Sequence, residues 1–160
     1  MNKKLLSLLY KDARCSLEEL AVMIGISPEQ VAQDLDELEK NGVIRGYKPV
    51  IDWGRVDDAN ISALIELKVI PKAGSGFEAV AQKVMKYPEV ETVYLMSGGY
   101  DLCVIVKGKT FQDVAMFVAK ELSTMENVTS TATHFVLRRY KEMDVELCDT
   151  EADDRGRISL

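Results

Sequence analysis

Up to Lys40 the apolar residues recur at helical spacing; past Asn60 they alternate, with two further helical stretches interleaved. Leu5, Leu6, Leu8 and Leu9 turn one face of a first helix, over 3–12, inward. Leu17, Leu20, Ala21 and Ile24 do the same for a second, and Val31, Leu35 and Leu38, at i, i+4 and i+7, for a third. The ends are marked as well as the faces. Ser16 with Glu19 forms a capping-box pattern, and Gly25 closes the helix it opens. Only Ile26 separates that glycine from Ser27, an N-cap followed by Pro28 at the first helical position. Gln30 is expected to reach back and complete a second capping box, with Ile26 and Val31 as its hydrophobic staple. Asn41-Gly42 supplies a left-handed stop. Three helices in quick succession, the last two joined by a very tight glycine turn, form a helix-turn-helix pattern. Residues 43–52 then read as an extended wing or connector strand, with Pro49 barring a central place in a sheet.

The stretch 53–60 is polar and turn-rich, and reads as a linker. Beyond it, 61–70 alternates as a strand with Ile61, Ala63, Ile65, Leu67 and Val69 on one face, and 72–76 reads as a loop. Phe77, Val80, Ala81, Val84 and Met85 mark a helix that ends before Pro88. Strands over 90–96 and 102–106 flank a Ser97-Gly98-Gly99 turn. Phe111, Val114, Ala115, Val118 and Leu122 mark a second helix, and 128–139 a long last strand. The halves echo each other, Phe77-x-x-Val80-Ala81 against Phe111-x-x-Val114-Ala115. The order β-α-β-β-α-β is that of a ferredoxin-like sandwich, which leaves one sheet face without helices. The chain is therefore expected in the α+β class. A (winged) helix-turn-helix occupies 1–52, a linker 53–60, a ferredoxin-like domain 61–148 and a polar tail 149–160. Both sides of the last strand are partly apolar, so a second copy of the sheet is the expected cover and a homodimer, or a higher homo-oligomer, the expected state. Met23, Met85, Met96 and Met116 are expected as core filling.

Composition narrows the chemistry. The chain has 160 residues, 47% hydrophobic and 29% charged, with no apolar run near the ~18 residues of a membrane span. Its first residues are too short and too charged a run for a secretory signal, so no membrane and a cytoplasmic location are expected. Cys15, Cys103 and Cys148 are odd in number and lack C-x-x-C spacing, and His134 is the only histidine. Neither a metal nor a cofactor is expected. The net charge of −6 divides as −1 over 1–55, −3 over 56–148 and −2 over 149–160. No segment is basic, which runs against the usual footprint of a nucleic-acid binder.

The segments LAVMIGIS (20–27), LEKNGVIRGY (38–47), SGGYDLCVIV (97–106) and TSTATHFVL (129–137) together resemble the Lrp/AsnC family of transcription regulators, over roughly 3–145. The resemblance implies an N-terminal domain that binds double-stranded DNA, and a C-terminal domain that oligomerises and binds a small effector, usually an amino acid. Ser27, Glu29, Gln30 and Gln33 open the third helix, where a recognition helix meets base edges; glutamine can pair with adenine, and a carboxylate can accept from cytosine. Lys3, Lys4, Arg14, Arg45 and Lys48 stand at the first helix and the connector, where phosphate contacts are expected. The chain departs from the family on the outer face of the third helix. Gln33, Asp34, Asp36 and Glu37 stand where relatives commonly carry basic residues, and this face repels phosphate. The resemblance places the effector at Ser97, Gly98, Gly99, Tyr100 and Asp101, with Thr131 and Thr133 nearby. There exposed backbone amides would take a carboxylate and Asp101 an ammonium; a plain hairpin turn is the alternative. Two other functions fit the architecture: an effector sensor that acts through a protein partner without binding DNA, and a siroheme-decarboxylase-like enzyme. One histidine on an acidic chain counts against the enzyme.

Overall fold

Helix caps, each satisfied within three or four residues, decide where the first half of the chain folds. The computed structural model describes residues 2–56, 60–71 and 76–147. Part of the expected linker (57–59), most of the 72–76 loop, Cys148 and the 149–160 tail lie outside them. The first compact unit spans Met1–Pro49 and the second begins at Val50.

In the first unit α1 is Lys3–Lys11, α2 Leu17–Ile24 and α3 Pro28–Lys40. Asn2 caps α1, its side-chain oxygen accepting from the Leu5 N–H at 3.1 Å. Ser16 and Glu19 form the reciprocal box on α2. Ser27 caps α3 from the Gln30 N–H, but Gln30 does not complete a second box: its side-chain amide donates instead to Asp34, at 3.0 Å. A neighbour one turn along offers a charged acceptor, and that acceptor wins. Leu5, Leu20, Ala21, Val31 and Leu38 are buried together, with Leu6, Leu8, Leu9, Ile24, Ile26 and Leu35 packed around them. Leu17, expected inside, is exposed at the first turn of α2. Residues 43–52 form no strand. An extended segment becomes a strand only by pairing, and among the described residues no sheet edge is paired to it.

The second unit has the expected order. Its elements are β1 Ile61–Val69, α4 Glu78–Val84, β2 Val90–Leu95, β3 Leu102–Gly108, α5 Phe111–Phe117 and β4 Val128–Phe135. All pairs are antiparallel, in the order β2-β3-β1-β4. α5 runs on as a π-helical turn through Val118–Leu122. Val114, Phe117, Val118 and Leu122 are inside, at ordinary helical spacing, while Phe111 and Ala115, expected there, are exposed. Phe111 keeps an edge contact with Phe135, ring centres 4.8 Å apart. One side of the sheet (Ala63, Ile65, Leu67, Val69, Leu102, Val104, Val106) shares a core with α4 and α5. The other carries Leu64, Glu66, Tyr94, Cys103, Ile105, Ala132 and His134, and among the described residues no helix of the unit covers it.

β4 stops at Phe135, short of the expected 139. Its partner β1 begins at Ile61, and after the Val136 N–H donates to the Ser62 carbonyl there is no strand left to follow. A hairpin not foreseen from the sequence follows, β5 Lys141–Glu142 with β6 Val145–Glu146. Met143 and Asp144 turn it, both with positive φ (45° and 67°), the geometry ordinarily signalled by Asn-Gly. The four methionines expected as filling are all exposed, from 39% for Met96 to 57% for Met85.

Candidate functional site

The turn before α3 is set by Gly25 at φ 86°, a left-handed position that closes α2 through its N–H to the Ala21 carbonyl at 2.8 Å. At the far end the Gly42 N–H reaches the Glu39 carbonyl and the Val43 N–H the Leu38 carbonyl, both at 2.9 Å, a Schellman closure with Gly42 at φ 67°. α3 is thus fixed at both ends and presents Glu29, Gln30, Gln33, Asp36 and Glu37 to solvent. Arg45 is held over the Gly42 α-carbon, where a Cβ would meet its guanidinium at 2.9 Å. That places a cation at the negative end of the α3 dipole.

Much of the acidity of α3 is engaged within the unit. Asp34 accepts from Gln30 and, at 3.2 Å, from the Asn2 side chain, and the two bonds hold its carboxyl below the usual range. Asp36 pairs with Lys40 at 3.0 Å. Glu39 accepts from the Tyr47 hydroxyl at 2.9 Å; burial and then this carboxylate push the phenol up. The Glu29 carboxyl is held low by its own backbone N–H and by the Ser27 hydroxyl. The Asn2–Asp34 bond brings the start of α1, with Lys3 and Lys4, against the middle of α3. Those two lysines, Arg14 in the α1–α2 turn, and Arg45 and Lys48 after α3 are all exposed. Asn2 as a fastener of α3 was not readable from the sequence, since its partner lies 32 residues away.

In the sheet unit, the Met96 N–H donates to the Asp101 carbonyl at 2.8 Å and closes the Ser97–Tyr100 turn. The Asp101 N–H donates to the Leu67 carbonyl at 3.0 Å, and its carboxylate accepts from the Val69 N–H at 2.8 Å. Val69 sits at a bulge in the β1–β4 pairing, and Asp101 takes up its N–H there. One oxygen of the residue expected to hold a ligand ammonium is therefore bound to backbone. Ser97, Gly98 and Gly99 are exposed; neither glycine has positive φ, and the space a Cβ would fill is open at both. Tyr100 leans on the Cys103 thiol, and burial followed by that contact pushes its phenol up.

Thr131 and Leu102 both face Leu67, so Thr131 lies at the same end of the sheet as the turn, two strand spacings (roughly 10 Å) across. Its hydroxyl is 3.2 Å from that of Ser123, a residue the sequence reading did not single out. The alternation that turns Thr131 toward the helix side is the only signal that could have suggested it. Thr133, opposite Ile65, lies two residues further along β4. His134 is on the uncovered face, 3.3 Å from Glu66. Among the described residues, no three His, Cys, Asp or Glu side chains converge as a metal ion would need, and no helix is long and apolar enough to cross a membrane.

A capped helix-turn-helix followed by a β-α-β-β-α-β unit defines a DNA-binding transcriptional regulator with a separate ligand-binding domain. Residues 2–45 match the winged helix-turn-helix DNA-binding family, and residues 62–145 the Lrp/AsnC ligand binding domain. The chain belongs to the Lrp/AsnC family of transcriptional regulators. It is 44% identical over 153 residues to the HTH-type transcriptional regulator YugG of Bacillus subtilis, covering 95% of this chain and 92% of that one. With the HTH-type transcriptional regulator FL11 of Pyrococcus furiosus it shares 32% identity, over 89% of this chain and 91% of that one. The transcriptional regulator NMB0573 of Neisseria meningitidis, crystallised as its L-Met complex, superposes with a TM-score of 0.70 at 26% identity, covering 89% and 93% of the two chains.

Proposed function

We propose that this regulator acts in the cytoplasm as a homo-oligomer whose hold on DNA responds to an amino acid. The observation that carries it is an α3 capped at both ends, with its opening residues exposed and free of the core. Ser27, Glu29, Gln30 and Gln33 face base edges, and Lys3, Lys4, Arg14, Arg45 and Lys48 meet phosphates, offsetting the carboxylates of α3. The uncovered sheet face, with Leu64, Ile105 and Tyr94, takes a second copy of itself. Two copies then present two reading helices, which multiplies a weak single contact. The effector sits at Ser97, Gly98, Gly99, Tyr100 and Asp101, near Thr131 and Thr133. Open backbone amides suit a carboxylate, and the second Asp101 oxygen suits an ammonium. The L-Met complex of NMB0573 supports an amino acid as the ligand class.

Fluorescence anisotropy with a duplex of the chain's own promoter region, at low salt and with single amino acids added, tests both halves. A salt-sensitive complex that one amino acid strengthens or weakens is expected. Absence of a complex in dilute buffer would remove the DNA half. The acidic outer face of α3 would then favour a sensor acting through a protein partner, seen as nuclease-insensitive co-purification.

A further inference from the structure

Reading guanine in the major groove takes paired donors for O6 and N7, ordinarily from Arg or Lys. The reading end of α3 has neither Arg nor Lys. Its only basic residue is Lys40, about 16 Å along the axis from Glu29 and paired with Asp36 at 3.0 Å. Gln30 gives one amide N–H to Asp34 and keeps its second N–H and its carbonyl. Glu29 is exposed in the first turn, and its carboxylate is kept ionised by the Ser27 hydroxyl and its own N–H. Gln33, one turn on and on the same ridge, is exposed and carries both a donor and an acceptor. The helix therefore offers carbonyl and carboxylate oxygens at its reading end, with amide N–H groups and no cation as donors. The Glu29 carboxylate matches the exocyclic amino group of cytosine and repels the O6/N7 edge of guanine, while the Gln33 amide suits the N6/N7 edge of adenine.

We infer that α3 reads its operator through base amino groups: Glu29 accepts from cytosine N4, Gln33 pairs with the N6/N7 edge of adenine, and no guanine is read by this helix. The inference rests on α3 being the DNA-reading helix. It makes the carboxylates a means of selecting sequence, since they favour amino-bearing edges and exclude guanine by charge.

The test begins by enriching duplexes from a library with a randomised centre, using the full chain at low salt. The enriched duplex is then resynthesised one base at a time with N4-methylcytosine, N6-methyladenine or 7-deazaguanine. The first two replace the groove-facing amino hydrogen while keeping Watson–Crick pairing; the third removes N7. At the centre of each half-site, N4-methylcytosine is expected to weaken binding about tenfold at one position at least, and 7-deazaguanine less than about twofold. In Glu29→Ala that cytosine position should lose its sensitivity. Glu29→Met, which keeps the length of the side chain without an acceptor for the base, serves as the second variant if thermal melting shows that the first has lost its fold. Weakening by 7-deazaguanine with N4-methylcytosine silent would overturn the inference and leave DNA binding standing. Silence of both would also overturn it. Failure of any duplex to enrich would remove the DNA reading along with it.

Discussion

The helical unit and the sheet unit are held by cores of different depth. Five side chains are buried in the helical cluster and thirteen in the sheet cluster, among the described residues. The helical unit depends correspondingly more on its caps, because a domain of this size buries too little apolar surface to be stable by a wide margin. DNA reading is thus carried by the unit with the smaller core, and ligand binding by the one with the larger, and the smaller is expected to be the less stable. The same truncation should have unequal consequences in the two. Leu20→Ala and Leu67→Ala each remove a buried leucine, at a cost of about 2–5 kcal/mol. In the helical unit that approaches the whole stability expected for so small a fold. Leu20→Ala is therefore expected to abolish DNA binding while the sheet unit still melts cooperatively in calorimetry. Leu67→Ala should lower the melting temperature and keep the fold. A single shared transition lost in both variants would break the comparison.

Asp101 sharpens it from the sheet side. Its carboxylate is the acceptor for Val69 at the bulge, so Asp101→Ala strands a backbone N–H and should destabilise the sheet unit by about 1–3 kcal/mol. Asp101→Asn keeps an acceptor and should recover at least half of that loss in a denaturant titration. The pair also separates structure from ligand binding. If Asp101→Asn melts like the parent but loses an amino-acid-induced thermal shift, the second oxygen serves the ligand. An unchanged shift in that variant would remove Asp101 from the ligand's contacts. On the helical side, Ser16→Ala removes one arm of the α2 capping box and should cost about 1 kcal/mol, read as a lower urea midpoint of the helical unit.

What could be read from the sequence follows the range of the interactions involved. The caps at Ser16 and Ser27 and the stop at Gly42 are made within a few residues, and they stand where the pattern puts them. The alternation of β1 and the β-α-β-β-α-β order were equally legible, because a strand buried on one face must alternate. The misreadings fall where a partner is distant or a period slips. The stretch 43–52 has strand character without an edge to join, and β4 is cut short by where β1 begins. In α5 the buried stripe takes in Phe117 in place of Phe111 and Ala115, a small rotation of the helix that residue type alone does not announce. At the candidate sites, residue types were readable and their commitments were not. Nothing local to Asp101 announces Val69, nothing near Asp34 announces Asn2, and the Ser123–Thr131 contact depends on a strand lying under the end of a helix.

Asp34 gives the finest comparison between the units, because its carboxylate works within the helical unit as Asp101 works within the sheet. Its folded pKa is depressed, by the Gln30 amide first and the Asn2 amide second. The stabilisation it provides is then fully present above the ordinary carboxyl value of about 3.9 and is lost as pH falls through the folded value. The position is only half-buried, so the effect should be the smallest of those above. The difference in unfolding midpoint between the parent and Asp34→Asn should narrow as the pH is taken from neutral into that acid range. A difference that stays constant throughout would mean that Asp34 fastens α1 to α3 by the shape of its hydrogen bonds and not by its charge. The carboxylates of α3 would then divide into those that tie the helix to the rest of the unit and those, Glu29 foremost, bound only within its exposed first turn, where they face DNA.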